Sequence, residues 1–487
     1  MNINNNRRAL FRRRDSNGVY RMFFVIVLIL AGIWLIRSVQ QGDVKPLFLP
    51  TVTPTRFAES YSLEGDALFT AGKLEDSTSA DGTIVPGAIT AYKEATRVDP
   101  ANADVWSQLS RVQTYSTALI VQRENILTRL EEAIASAKKA VELNPDNSDA
   151  HAAVAFALDW KASYISDARE RQALLQNSEQ EAVRAIQLDN TNVLAMAFYA
   201  EILVDQQKWT QAQQIIEQAL AADPSLMDVH RVHAYVLESL GEYALAIEAY
   251  DRAIAITPNL TFLYLRAGAG YRRLAFESQN EEVQKQLFEK SLEYFAQTAR
   301  INSQLGVKDP APYISIARTY SQMGEFFIAI RNIQKAIEYE PFNPVLYGEL
   351  GVLYHKNRNY ETGILSLGCA INGCSPAASC DGRGGCGPND EEAEVKPLPL
   401  DASTVYYFDV YASELAALST SKVNYCPQAL EVASIIEKSI YIEDPNIAAD
   451  MAVVRSICSF SPATKDSGSI STPTVAPATT PESTPTP

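Results

Sequence analysis

Four of the six cysteines lie in one short segment, "CAINGCSPAASCDGRGGC", where Cys369, Cys374, Cys380 and Cys386 are separated by four, five and five residues. Cysteines grouped this closely either bind a metal or iron–sulfur cluster or form disulfides. Structural zinc and iron–sulfur sites commonly use C-x2-C pairs, which this spacing lacks. The spacing therefore predicts two disulfides within a glycine-rich excursion, and any of three pairings is compatible with it.

The other two cysteines, Cys426 and Cys458, are predicted to pair with each other. Pro427 suits the first turn of a helix that starts at Cys426, and a second helix leads back to Cys458 after a turn centred near Glu443. The two cysteines lie seventeen and fifteen residues from that turn. Antiparallel helices of nearly equal length place both at the same open end, so the disulfide closes a 33-residue segment.

No other pattern of residues indicates catalysis. The sequence has no H-E-x-x-H, phosphate-binding glycine loop or G-x-S-x-G motif. His230 and His233 lie three residues apart on one helix face, but packing between helices explains them better than metal binding. The segment "CDGRGGCGPNDEE" lacks the alternating acidic residues of a calcium loop. We therefore expect a protein that is not an enzyme and has no metal or cofactor.

Charge is distributed unevenly along the 487 residues, whose formal net charge is −16. The first 37 residues contain seven arginines and one acidic residue, so the rest of the chain is strongly acidic. The phosphates of a nucleic acid would be repelled by such an acidic body, so we expect no nucleic-acid partner.

An apolar segment, "MFFVIVLILAGIWLI", follows the arginine cluster and predicts a single transmembrane signal-anchor over residues 19–37. The flanking Arg21 and Arg37 can extend their side chains towards the membrane surfaces. The positive charges that precede the segment predict a cytoplasmic N-terminus and an extracytoplasmic body. A cleaved signal peptide is the alternative, although no small-residue cleavage site follows. Either interpretation exports residues 38–487, and the layout is typical of bacterial envelope proteins.

One spacing recurs through most of the body: an alanine followed, five residues later, by a proline that ends a helix. Clear copies occur at Ala95, Ala140, Ala219, Ala253 and Ala336, and weaker copies at Ala185 and Ala299. In "GEYALAIEAYDRAIAITP", further small and large residues have the spacing of one helix face. The distances between copies are 34 residues or somewhat longer.

This pattern resembles the tetratricopeptide repeat (TPR) family, whose unit is a 34-residue helix–turn–helix. The match is carried best by Ala234, Gly241, Ala246, Tyr250 and Pro258. Small residues let two helices approach, and large residues fill the space between stacked units. The resemblance implies an all-α, right-handed superhelical solenoid of about nine units behind the transmembrane helix. Four units contain insertions. Those within 114–132, 163–177 and 275–290 are expected to lengthen helices, and the remaining one lies around "EDSTSADGTIVPG".

These inferences divide the chain into five regions. The Ser/Thr/Pro-rich C-terminal segment has too few apolar residues to form a core, so it is expected to be disordered. The predicted regions are a basic cytoplasmic N-terminus (1–18), the transmembrane anchor (19–37), a Pro/Thr linker (38–56), the TPR solenoid (57–460) with its cysteine-rich excursion (371–401), and the tail (461–487).

The family resemblance also implies where a ligand would bind, because the first helices of TPR units line the concave side. The outward positions of these first helices are acidic in the N-terminal half and more basic near the cysteines. The alternative interpretation is a solvated face on which like charges cluster by chance. Arg111 and Arg231 interrupt the acidic part. The expected groove residues are Asp149, Asp159, Glu201, Asp205, Asp228 and Glu238, with Asp66 and Asp104, followed by Arg272, Arg273, Arg318, His355 and Lys356.

Two functions are compatible with these features. The favoured one is a membrane-anchored extracytoplasmic scaffold that binds a protein or peptide and assembles an envelope complex. The alternative is a glycan-binding accessory subunit or enzyme, which requires carboxylates and aromatic side chains to converge in one cleft. Trp106, Trp160 and Trp209 belong to three different units and are expected in the core. This dispersal favours the scaffold.

Overall fold

The computed structural model describes residues 18–40, 56–79, 81–387 and 390–460, in two units divided after Phe57. Most of the predicted basic N-terminus, most of the linker and the whole predicted tail lie outside the described residues.

The first unit contains one helix, α1 (Gly18–Gln40), which includes the apolar segment. Its side chains from Met22 to Leu30 are exposed. Within the described residues, no helix is both long enough and apolar enough to cross a membrane. The membrane anchor over 19–37 therefore stays a prediction.

The second unit is a series of helical hairpins, in which each first helix packs against the second helix of its own hairpin and successive hairpins pack on one another. Nine such hairpins occur within the described part of the chain. They are α2 (Ala58–Thr70) with α3 (Ala88–Val98), α4 (Ala103–Ser116) with α5 (Arg123–Leu143), α6 (Ser148–Ser163) with α7 (Ala168–Leu188), α8 (Val193–Asp205) with α9 (Trp209–Ala222), α10 (Met227–Ser239) with α11 (Tyr243–Ile256), α12 (Thr261–Glu277) with α13 (Glu281–Leu305), α14 (Ala311–Gln322) with α15 (Phe326–Tyr339), α16 (Pro344–Lys356) with α17 (Tyr360–Asn372), and α19 (Val405–Leu418) with α20 (Cys426–Glu437).

The recurring alanines explain how the two helices of a hairpin approach each other. Ala95, Ala140, Ala219, Ala253 and Ala336 are all 0% exposed. A larger side chain at any of them would separate the helices, because interiors of this kind are close-packed. Four of the loops between hairpins end in an asparagine that caps the next helix: the side chains of Asn102, Asn147, Asn192 and Asn343 accept hydrogen bonds from backbone N–H groups of the next first helix.

The insertions take two forms. The first forms a short antiparallel hairpin of β1 (Ser77–Thr78) and β2 (Ile84–Val85), with Ser77 opposite Val85. The other three lengthen second helices, as expected: α5 and α7 have 21 residues each and α13 has 25. A 3-10 turn, Thr117–Leu119, precedes α5.

The N-terminal hairpins curve until the first one meets the loop before α12. At Gly72, whose φ is 69°, an added Cβ would lie 2.5 Å from the backbone oxygen of Asn259. Across the interior, Arg111 on α4 donates from Nε to Asp228 on α10 at 3.1 Å. The concave side of this half is therefore closed by contacts between residues more than a hundred positions apart.

The C-terminal part contains the cysteine-rich excursion and the terminal hairpin. In the excursion, α18 (Pro376–Gly382) follows a bridge between Cys374 and Val395, and the disulfides join Cys369 to Cys374 and Cys380 to Cys386. A third disulfide joins Cys426 to Cys458 on α21 (Pro445–Phe460), which packs on α20 after the 3-10 turn Ile440–Glu443. The structure thus contains the pairing expected for the last two cysteines.

Candidate interaction sites

A basic cleft lies between the first helices of three successive hairpins, α12, α14 and α16, with α19 at one side. It encloses about 390 Å³. Three cationic side chains line it, one from each first helix: Arg272, Arg318 and Lys356. Its apolar surface is contributed by Phe276, Ala317, Val352, Leu353 and Tyr407.

The cations of the basic cleft are only partly neutralised. Glu349 accepts from Arg318, with Nε at 3.1 Å. Arg272 donates to the backbone oxygen of Ser315 at 3.1 Å, and its guanidinium lies 5.4 Å from the ring centre of Phe295. Among the described residues, neither Arg272 nor Lys356 forms an ion pair. Burial and the nearby charge of Arg318 lower the pKa of Arg272, as expected for a cation without a carboxylate partner.

Two other basic residues of the expected groove point elsewhere. Arg273 does not line the cleft, pairs with Glu277 at 3.5 Å and is 59% exposed. His355 contacts the buried carboxylate of Glu414 on α19, with Nδ1 and Oε1 3.1 Å apart. The cleft therefore contains three of the five basic residues expected in the groove.

Two of the expected acidic groove residues are buried in ion pairs, so the groove is not open at these positions. Asp228 is 0% exposed and accepts from Arg111 and from the hydroxyl of Tyr115 at 2.5 Å. Although burial acts in the opposite direction, the Arg111 charge lowers the pKa of Asp228. Glu201 accepts two hydrogen bonds of 2.6 Å from Arg231, and both side chains are almost completely buried from solvent.

A second concavity, the acidic cavity, lies beside this buried network and encloses about 340 Å³. Asp159 on α6 and Asp205 on α8 line it. Asp159 is 1% exposed, and its Oδ1 has no hydrogen-bond partner among the described residues. Burial, followed by the charges of Asp205 and Glu201, raises the pKa of Asp159 well above its usual range. The aromatic residues of the cavity wall are Trp160, Tyr235, Tyr250 and Phe262.

The remaining acidic residues of the expected groove are dispersed. Glu238 lies near the acidic cavity and pairs with Arg266 at 2.9 Å. Asp149, at the start of α6, is exposed and accepts from Asn192 at 2.7 Å. Asp66 accepts from Tyr92, and Asp104 accepts from Asn147. The structure therefore does not unite the acidic residues into one surface.

Sequence reasoning missed the partners that bury the acidic residues. Arg111 and Arg231 were visible as two cations in an otherwise acidic row, which is the signal expected of internal counter-ions. Their partners could not be read, because Arg111 and Asp228 are 117 positions apart. The prediction that Trp209 lies in the core is wrong: it starts α9 and is 45% exposed.

The structure defines the body of the chain as a helical-repeat solenoid with two clefts on its first helices. Three segments match models of the tetratricopeptide repeat: residues 126–147, 200–261 and 332–364. The chain therefore contains tetratricopeptide repeats, and the matched segments fall on α5, on α8 to α11 and on α15 to α17.

Relatives among characterised proteins are distant. The chain is 24% identical to human IFIT1 homolog B over 47% of its own length and 49% of that protein. It is 24% identical to human TOM70, a mitochondrial import receptor subunit, over 42% of its length and 29% of that protein. It thus spans half or less of these curated relatives. A solved structure, the TPR protein TTC0263 of Thermus thermophilus, aligns with 16% identity and a TM-score of 0.34 over 44% of this chain and 98% of that one.

Proposed function

We propose that this chain is a membrane-anchored, extracytoplasmic TPR scaffold whose basic cleft binds an acidic segment of a partner protein. The observation that carries the proposal is the convergence of Arg272, Arg318 and Lys356 on one cleft with apolar walls. An extended segment with carboxylates would neutralise these cations, and its apolar side chains would cover Phe276 and Tyr407. Electrostatic complementarity of this kind chiefly provides specificity and a fast association rate.

The extracytoplasmic location is supported by the cysteines. All three disulfides lie within the part of the chain that the structure describes, beyond the apolar segment. Disulfides form and persist in oxidising compartments and are rare in the cytosol. The proposal therefore includes anchoring through residues 19–37 with the N-terminus in the cytoplasm, an arrangement that the arginine cluster favours.

The cleft can be tested by photo-crosslinking in cells that naturally produce the protein. A photoreactive amino acid replaces Gln322, an exposed residue that lines the cleft. We expect a discrete protein adduct that is lost in R272S/R318S/K356S and retained in R273S, the matched control outside the cleft. An adduct that forms equally in the triple variant would contradict the proposal.

A second candidate function, glycan binding, is favoured by one observation. The acidic cavity brings carboxylates and aromatic rings together, which is the arrangement that this alternative requires. Titration of the full chain with an oligomer of N-acetylglucosamine tests it. Binding that is weakened by W160A, with no protein adduct at the basic cleft, would favour the glycan function over the scaffold.

A further inference from the structure

The acidic cavity differs from an ordinary solvated cluster because its arginines are already neutralised. Arg231 is held by Glu201 through two bonds of 2.6 Å. Arg266 is held by Glu238 at 2.9 Å. Asp159 and Asp205 therefore remain without a cationic partner among the described residues. If both carboxylates ionise, the cavity carries two uncompensated negative charges.

The two aspartates are placed differently. Asp205 accepts a hydrogen bond of 2.6 Å from the hydroxyl of Tyr235. Asp159 lines the cavity and is 1% exposed, and its Oδ1 is buried without a hydrogen-bond partner among the described residues. An unpaired buried polar atom costs free energy, so such atoms are rare unless a ligand or water satisfies them. The unpartnered oxygen is the observation that points to a ligand.

The wall of the cavity also suits a cation. Trp160, Tyr235, Tyr250 and Phe262 line the cavity together with the aspartates. Arg231 and Arg266 already lie over the rings of Trp160 and Tyr235, so Tyr250 and Phe262 provide the remaining aromatic surface. The faces of aromatic rings attract ammonium and guanidinium groups, most strongly where water is excluded. A volume of about 340 Å³ accommodates one side chain or a small amine and not a folded segment.

We propose that the acidic cavity binds an organic cation, with an ammonium or guanidinium group placed between Asp159 and Asp205 against the aromatic wall. The cation is either a lysine or arginine side chain of a protein or a free small amine. A carboxylate-bearing ligand would be repelled, which makes this cavity the electrostatic opposite of the basic cleft. The proposal is independent of the one made for that cleft.

Calorimetric titration of the full chain in detergent tests the proposal. The probes are N-acetyl-lysine-methylamide, its uncharged analogue N-acetyl-norleucine-methylamide, and 1,5-diaminopentane. The first two distinguish a cation from an apolar side chain. Comparison of the first and third distinguishes a peptide source from a free amine.

We expect at least one of the two cations to bind and the norleucine analogue not to bind. D159N and D205N should each weaken binding at least tenfold. The matched control is D149N, which makes the same change on α6 at an exposed residue outside the cavity. Because Asp205 is only partly buried, D205N keeps the test valid if D159N does not fold.

Four results would overturn the proposal. One is no binding of either cation; another is equal binding of the lysine and norleucine derivatives; the third is unchanged affinity in a folded D159N or D205N. Binding of an N-acetylglucosamine oligomer in place of the cations would also overturn it and would favour the glycan function. None of these results depends on whether the basic cleft binds an acidic partner.

Discussion

At the scale of single residues, the N-terminal half of the solenoid is organised by charges that its interior has taken out of water. Arg231 and Glu201 are 6% and 7% exposed and join α10 to α8. Arg231 also donates to Tyr115 on α4 at 3.0 Å and lies 5.4–5.8 Å from the ring centres of three aromatic residues. Arg231 therefore connects its own hairpin to the preceding α8–α9 hairpin and, through Tyr115, to the α4–α5 hairpin, which is not its neighbour in the chain.

Removing the charge of Glu201 should destabilise the protein strongly. E201Q keeps the size of the side chain but leaves the Arg231 guanidinium buried without the carboxylate that pairs with it. Loss of one partner of a buried ion pair costs about 3–5 kcal/mol. Urea denaturation followed by circular dichroism measures the change.

The control for E201Q is D146N, which removes the carboxylate of an exposed pair with Arg184. An exposed pair contributes at most about 1 kcal/mol. Equal destabilisation by E201Q and D146N would show that the Arg231–Glu201 pair does not connect the hairpins as described.

Asp205 predicts a dependence of stability on pH. Burial, with a contribution from Glu201, raises its pKa to about 6 despite the bond from Tyr235. Since the folded-state pKa exceeds the unfolded one, the group's contribution is present below about pH 4 and is lost as the pH rises through 6. Between pH 4 and pH 7, the free energy of unfolding of the parent protein should fall by roughly 2 kcal/mol more than that of D205N. Parallel pH profiles, measured with D149N as control, would contradict this assignment.

At the scale of elements, the terminal hairpin is the part most in need of a covalent link, because it has no neighbouring unit on one face. The Cys426–Cys458 disulfide joins α20 to α21 across a sequence separation of 32 residues. In the loop-entropy account, a segment of this length is stabilised by about 4 kcal/mol and a six-residue loop by about 2 kcal/mol.

C426S/C458S should therefore loosen α20 and α21 without changing the N-terminal hairpins. Amide hydrogen exchange should become faster in 426–460, whereas C380S/C386S should affect only the excursion. Non-reducing peptide mapping of the parent checks the pairing itself. Recovery of alkylated Cys426, or of Cys426 joined to the 369–386 cluster, would refute it.

The helical hairpins were predictable because their signals are local. The recurrent alanines and prolines repeat within about forty residues, and Ala140 and Ala253 are buried as the spacing predicts. The pairing of Cys426 with Cys458 was predictable for the same reason, since two helix lengths and one turn determine it. The β1–β2 hairpin was not predicted, because a four-residue ladder in an inserted loop has no periodicity to reveal it.

At the scale of the whole molecule, the two halves of the solenoid differ in a way that local patterns do not reveal. Which first-helix residues stay accessible depends on how tightly the hairpins curve. The contact of Gly72 with Asn259 and the pairing of Arg111 with Asp228 show that the N-terminal half closes on itself. The repeat pattern predicted that the acidic residues of the first helices line an open groove. Because this half closes on itself, the structure buries part of that row.

The proposed topology predicts the outcome of limited proteolysis. Protease added to intact cells or spheroplasts should digest residues beyond 60 and spare the N-terminal tip, because only the tip is expected in the cytoplasm. Antibodies against each end report the fragments, and lysed cells show that the tip is cleavable when accessible. Protection of the whole chain in intact cells would refute an extracytoplasmic body.

The central claim is that the basic cleft recognises an acidic partner. The most direct measurement is the affinity of the full chain for the protein captured at Gln322, at low and high salt. The parent should bind more weakly as salt screens the charges, and R272S/R318S/K356S should bind weakly with little salt dependence, whereas R273S should match the parent. Equal affinity of the parent and the triple variant at low salt would contradict the account.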